Sequence, residues 1–143
     1  MVDLELVTLT GTKLKETVHE VLLPTPDGQI AVFQNHAPLV STATTGVISV
    51  RKKDNHPDDM MEHYAIDSGI IEITDNTVRV LVDEADKDSE VSEKEATEAL
   101  KRAKQLAGEA RDQVSLDKAQ ALVDRQASRL KIAELKKRAR SRR

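Results

Sequence analysis

Cysteine and tryptophan are absent from this 143-residue chain, and its aromatic residues are Phe33 and Tyr64 alone. Without cysteine there can be no disulfide scaffold, thiolate metal site or cysteine nucleophile. Two aromatic rings cannot build the stacking platforms on which single-stranded nucleic acids are held. No GxxxxGK phosphate loop and no GxSxG serine context occurs. The four histidines, His19, His36, His56 and His63, stand without an HExxH pair or a carboxylate at ligand spacing. Neither a catalytic nor a metal site is expected. The longest uncharged stretch, 28–50, is long enough to cross a bilayer, yet it contains Gln29, Gln34, Asn35, His36 and Pro38 and cannot be a spanning helix. Asp3 and Glu5 stand where a secretion or import leader carries positive charge, so the chain reads as soluble, intracellular and of mature length.

What is present is charge, unevenly placed. The formal net charge of −3 conceals 7 Lys/Arg against 16 Asp/Glu over residues 1–88 and 15 against 9 over the remainder. Such opposition between halves points to two segments with different partners. The terminal run Lys136-Lys137-Arg138-Ala139-Arg140-Ser141-Arg142-Arg143 suits an acidic protein surface, and it also complements a helix C-terminus. A nucleic-acid partner is disfavoured by the acidic body.

From Leu4 to Val82 the apolar residues alternate, with Thr, Val and Ile between turn signals at Thr10-Gly11, Pro24 to Gly28, Asn35 to Pro38, Thr45-Gly46, Asp54 to Pro57 and Thr74 to Asn76. Short strands at this spacing predict an antiparallel β-sandwich or flattened barrel over residues 1–85. Asp83, Glu84, Asp86, Asp88 and Glu90 predict a solvated acidic connector, placed at 86–91. A helical region follows over 92–143. Ser92 and Glu95 have the spacing of a capping box, and Ala96, Ala99, Leu100, Ala103, Leu106, Ala107 and Ala110 form one stripe. A second helix, capped at Ser115, is expected to carry Leu116, Ala119, Leu122 or Val123, Ala127, Leu130 and Ala133 on its buried face, with Ile132 and Leu135 slightly off it. Two helices joined by a short turn pack as an antiparallel hairpin. Its alanine seam buries few methylenes, each worth roughly 0.8 kcal/mol, so it permits opening; small residues also simply allow close approach.

Three stretches resemble one family in order along the chain. Leu23-Pro24, Gly28 to Val40, and Gly46-Val47 with Val50 are similar to the LPxxxGEFGVLPGHAPLLxxxxxGVxxV stretch of the epsilon subunits of F-type ATP synthases. Asp67 to Ile73, with Val78, Leu81, Asp83 and Ala85, resembles the family's SGGFxEV segment, and Arg129 to Lys136 resembles the end of its second helix. Gln34-Asn35 replaces a Pro-Gly pair, Ala31 a glycine and Ser68 one of two glycines; Asn35 still tolerates positive φ.

The resemblance implies a non-catalytic central-stalk subunit that joins the gamma subunit to the c-ring of a proton-translocating synthase. On that reading Gln29, Val32, Asn35, His36 and Pro38 meet gamma and the ring. Many members carry Glu where this chain has Gln29, so ring binding here is expected to depend less on salt. The helices of bacterial and plastid members inhibit ATP hydrolysis by meeting the catalytic alpha and beta subunits, a role to which Arg125, Arg129, Lys136, Lys137 and Arg138 correspond. Some members hold ATP through an I/L-D-x-x-R-A motif and two helical arginines. Arg125 and Arg129 match the arginines, but Ser92 and Glu95 replace the motif's Asp and Arg, and weak or no ATP binding is expected, with no other cofactor. The expected place is the cytoplasmic face of the cell membrane as a peripheral subunit, or the stromal face of a thylakoid. The rival reading from the residues alone is a free-standing adaptor whose two halves bind separate partners.

Overall fold

Alternation along the first strand sets the pattern for the β-region. In β1 (Val2–Thr8) Val2, Leu4 and Leu6 are buried while Asp3 faces out and Glu5 is partly exposed, as the two-residue period of a strand requires. The computed structural model describes residues 1–142 and continues with β2 (Gly11–Val18), β3 (Glu20–Thr25), β4 (Gly28–Val32), β5 (Leu39–Ala43) and β6 (Gly46–Arg51). A 3₁₀ turn at Asp58–Met60 leads to β7 (Glu62–Ile66), β8 (Gly69–Thr74), β9 (Thr77–Val82) and β10 (Ala85–Lys87). A second such turn at Asp88–Glu90 precedes two helices, α1 (Glu93–Glu109) and α2 (Gln113–Ser141).

The strands form two five-stranded sheets, ordered β2-β1-β9-β8-β5 and β10-β7-β6-β3-β4. Their inner faces enclose one core that includes Leu4, Leu23, Ile48, Ile71 and Val80, all essentially inaccessible. The sandwich expected from the spacing is therefore present. It differs in one pairing, since β1 runs parallel to β9, Leu4 opposite Val78 and Leu6 opposite Val80. β2 and β3 follow one another with His19 alone between them, and His19 N–H donates to the Arg51 carbonyl at 2.9 Å.

The acidic segment is solvated only in part: Asp83, Glu84 and Glu90 are exposed as expected, Asp86 is half-buried and Asp88 is buried. Ala85 to Lys87 pair with Ile66 to Tyr64 of β7, and Asp88 is buried, accepting hydrogen bonds from the His63 N–H at 3.2 Å and Lys136 Nζ at 3.4 Å. Cations from the helical region supply the compensation that a carboxylate needs out of water.

Ser92 caps α1, accepting from the Glu95 N–H at 3.3 Å. Asp112, rather than Ser115, caps α2; its carboxylate accepts from the Ser115 N–H at 2.7 Å, which places its carboxyl below the ordinary carboxylate range. Gly108 lies in the last turn of α1. Glu93 at the start of α1 reaches Lys137 near the end of α2 at 3.5 Å, so the helices run antiparallel. Ala96 and Ala103 are the buried residues of α1, as an alanine seam predicts. On α2 the expected single stripe is replaced by two. Ala119, Gln126 and Ala133 recur at seven on one face, while Ser128 and Ile132 lie one turn apart on another. Ala127 is exposed and Ile132 fully buried because α2 packs on α1 and also on β6 and β7.

Candidate interaction surfaces

Three surfaces remain once the core is accounted for. The first is the loop of residues 33–38 after β4. Asn35 adopts φ of 66°, the left-handed conformation its short amide side chain tolerates, and its N–H donates to Asn76 Oδ1 at 2.6 Å. The loop is thereby tied to the tight turn between β8 and β9, where Asp75 and Asn76 also have positive φ. Asn35 and Pro38 are exposed and His36 partly so, with His36 Nδ1 2.6 Å from the Ala37 carbonyl. Phe33 is held edge-on against His19 at 5.7 Å. Gln29 is exposed at the start of β4, an edge strand, about 13 Å along the chain from the first residue of the loop. These residues belong to two patches rather than one. Val32 is corrected: it is completely buried in the sandwich core and presents no side chain to a partner.

The second surface was missed by sequence reasoning. The helices cover the second sheet, and the outer face of the first sheet carries Ile70, Leu81 and Val40, which are 48%, 37% and 75% exposed. Ile70 stands opposite Leu81, and Leu81 opposite Val7, so they form an apolar row across three strands. Its signal in the sequence is the broken alternation of Ile70-Ile71 and Val80-Leu81-Val82, where an apolar residue occupies an outward position.

The third surface is the basic stripe of α2, and the structure shows it in use. Arg125 pairs with Glu84 and lies 3.6 Å from Asp67; Arg129 Nε lies 3.1 Å from Asp86; Lys136 reaches Asp88. Burial pushes the Asp67 carboxyl up despite Arg125, with Asp83 and Asp86 adding to the rise. Lys137 meets Glu93, and Arg138 is exposed beside a cleft of about 740 Å³ between α2 and the second sheet. Among the described residues no group of three or more His, Asp or Glu side chains is placed to hold a metal ion. Among the described residues no helix is long and apolar enough to cross a membrane.

A family model described as ATP synthase, Delta/Epsilon chain, beta-sandwich domain matches residues 1–88. The chain belongs to the ATP synthase delta/epsilon family. Its curated relatives are named as epsilon chains. That of the Pelargonium hortorum chloroplast is 32% identical over 130 residues, 90% of this chain and 94% of the relative. That of Gloeobacter violaceus is 32% identical, over 82% and 86%. The fold of this epsilon-family chain is also that of a chain in the Euglena gracilis mitochondrial ATP synthase (OSCP/F1/c-ring), with a TM-score of 0.76, 19% identity and coverage of 89% and 78%. A chain of the Tetrahymena thermophila mitochondrial ATP synthase central stalk and c-ring matches with a TM-score of 0.59 and 13% identity, over 90% and 96%. The family is that of a non-catalytic subunit, and the match includes the segment up to Asp88 that fastens α2.

Proposed function

We propose that this epsilon-family chain works in the central stalk of a proton-translocating F-type ATP synthase. Its sandwich joins the gamma subunit to the c-ring, and α1 and α2 restrain ATP hydrolysis. The observation that carries this reading is the division of labour between the faces: the helices cover one sheet, and the other presents the apolar row of Val7, Ile70 and Leu81. Gamma is placed on that face and on the 33–38 loop, where Asn35 and His36 are held in a fixed backbone shape. The c-ring's polar loops are placed on exposed Gln29.

The inhibitory arm is α2, whose Arg125, Arg129, Lys136, Lys137 and Arg138 meet the acidic surfaces of alpha and beta when the arm is released. The folded pair holds no ATP on this reading, because Ser92 serves as a helix cap and Arg125 and Arg129 already face carboxylates. The assembled subunit lies peripherally at the cytoplasmic face of a cell membrane, or at the stromal face of a thylakoid.

The test is reconstitution with the matched catalytic complex. Removing residues after Asp88 leaves the strands intact and is expected to raise ATP hydrolysis while preserving co-purification with gamma. Unchanged hydrolysis across ATP concentrations overturns the inhibitory role, and failure to co-purify overturns the stalk assignment.

A further inference from the structure

The helices leave part of the second sheet's outer face open. α2 rests on β6 and β7, and beside it Leu22 and Pro24 of β3 and Val47 of β6 stay half-buried. Their direction follows from the strand period: Val21, Leu23 and Ile48 point into the core, so Leu22, Pro24 and Val47 point out of it. Between this apolar floor and the end of α2 lies the cleft of about 740 Å³, a size typical of small-ligand sites.

Its helical wall is a single stripe. Lys131, Leu135 and Arg138 of α2 and its C-terminal cap Arg142 recur at four, three and four residues, so they share the side of the helix that borders the cleft. With Arg51 they bring four cations to the lining, against the two carboxylates of Asp58 and Asp59. Arg51 is already engaged, with Asp58 at 2.6 Å and Glu20 at 2.9 Å. Among the described residues the side chains of Lys131 and Arg138 make no hydrogen bond or ion pair, whereas Arg125, Arg129, Lys136 and Lys137 each face a carboxylate. Uncompensated positive charge therefore stands over an apolar floor.

We propose that this cleft binds the headgroup of an anionic phospholipid, the phosphodiester against Lys131, Arg138 and Arg142 and the glycerol end of the acyl chains on Leu22, Pro24 and Val47. Guanidinium groups suit phosphate oxygens, since they donate in a planar fork and are weakly hydrated. The floor selects an anion with an apolar continuation. Free phosphate leaves that floor in water, and a choline headgroup brings a cation of its own to a cationic wall. Gly28 and Gln29 also line the cleft, which puts it on the side directed above to the c-ring. The bilayer as the source of the lipid rests on that stalk reading; the binding itself does not.

The test is titration of the full chain with short-chain lipids below the concentration at which they form micelles, read by calorimetry and by amide NMR shifts. Dihexanoyl phosphatidylglycerol is expected to bind, with shifts in β3, β6 and the last turns of α2. Dihexanoyl phosphatidylcholine, with the same chains, and inorganic phosphate, with no chains, are each expected to bind about tenfold or more weakly. Each cation at such a surface is worth about fivefold, so Lys131→Glu with Arg138→Glu is expected to weaken the glycerol lipid about thirtyfold or more. Both residues are exposed, and glutamate is a good helix former, so the fold is kept. Lys101→Glu with Lys104→Glu makes the same change of charge on the exposed side of α1 and is expected to leave binding unaltered. Equal affinity for the choline lipid or for phosphate overturns the proposal, as does an equal loss in the two double variants. Co-purification with gamma is a separate readout: lipid binding without it leaves the cleft assigned and removes the stalk reading.

Discussion

His63 Nδ1 lies 2.8 Å from Ser49 Oγ, a cross-strand contact between β7 and β6 on the sheet that α2 covers. Burial holds the imidazole below its ordinary pKa; Asp88 acts to raise it and Lys131 of α2 to lower it. A base whose folded value is lowered is neutral in the docked state and takes up a proton when the site opens. Its contribution is fully present above about pH 6.5 and falls as pH drops toward the lowered value, by at most about tenfold in the folding equilibrium per unit.

Melting temperature is therefore expected to decline between pH 7 and pH 5.5, and His63→Gln is expected to flatten that decline. The raised Asp67 carboxyl has the opposite sign, favouring the folded state as it protonates, so the His63→Gln comparison is what isolates the imidazole's share. Parallel slopes in wild type and variant would assign the proton uptake to another group.

Gly69 begins β8 opposite Val82, and a Cβ there would overlap the Leu81 carbonyl oxygen and lie 2.8 Å from Val82 Cγ1. The obstacle is backbone, which cannot swing aside as a flexible side chain can. Gly69→Ala is expected to cost about 3 kcal/mol or more, lowering the melting temperature by roughly 10 °C. At Gly46 the nearest atom is Pro24 Cβ at 3.2 Å, and Gly46→Ala is expected to cost less. Equal melting temperatures for the two variants would contradict the close-approach argument.

Ile132 is fully buried on α2, whereas Leu106 of α1 is 51% exposed. Ile132→Ala is expected to cost about 2–5 kcal/mol, and Leu106→Ala close to nothing. The loss should be local. Hydrogen exchange is expected to show faster exchange in α1 and α2 with β1, β8 and β9 still protected, because Ile132 lies outside the sandwich core. Uniform loss of protection would mean that helices and sandwich unfold as one unit.

Ile132 also shows where sequence reading reached its limit. One apolar stripe is the signature of a helix with one buried face, and it located Ala96, Ala103, Ala119 and Ala133 correctly. α2 has two covered faces, so its second stripe breaks that period, and Ser128 and Gln126 are buried against expectation. The acidic run from Asp83 to Glu90 reads as solvated because sequence alone does not reveal that cations forty to fifty positions later lie across from it. Local signals fared according to their range. Asn35 took the left-handed turn and Ser92 the cap, both decided within a few residues. Val32 lay in a motif attributed to partner contacts, but the alternation of β4 turns it inward.

Gln29 provides the sharpest test of the proposed ring contact. It is exposed as the second residue of the edge strand β4, and among the described residues its side chain makes no ion pair or hydrogen bond. An amide offers hydrogen bonds but no net charge, so a contact built on it should respond weakly to screening. A carboxylate at that position would add attraction to any cation on those polar loops, an attraction that fades once the Debye length falls to about 3 Å, near 1 M salt. Binding of the reconstituted stalk to the matched c-ring is expected to be nearly independent of ionic strength for the wild type. Gln29→Glu should bind more tightly at low salt, with the advantage lost as salt rises, and measurement from 0.05 to 1 M covers the range over which the two curves converge. If wild-type affinity already falls steeply with salt, and Gln29→Glu leaves that slope unchanged, the ring contact is carried by other charges and Gln29 is not part of it.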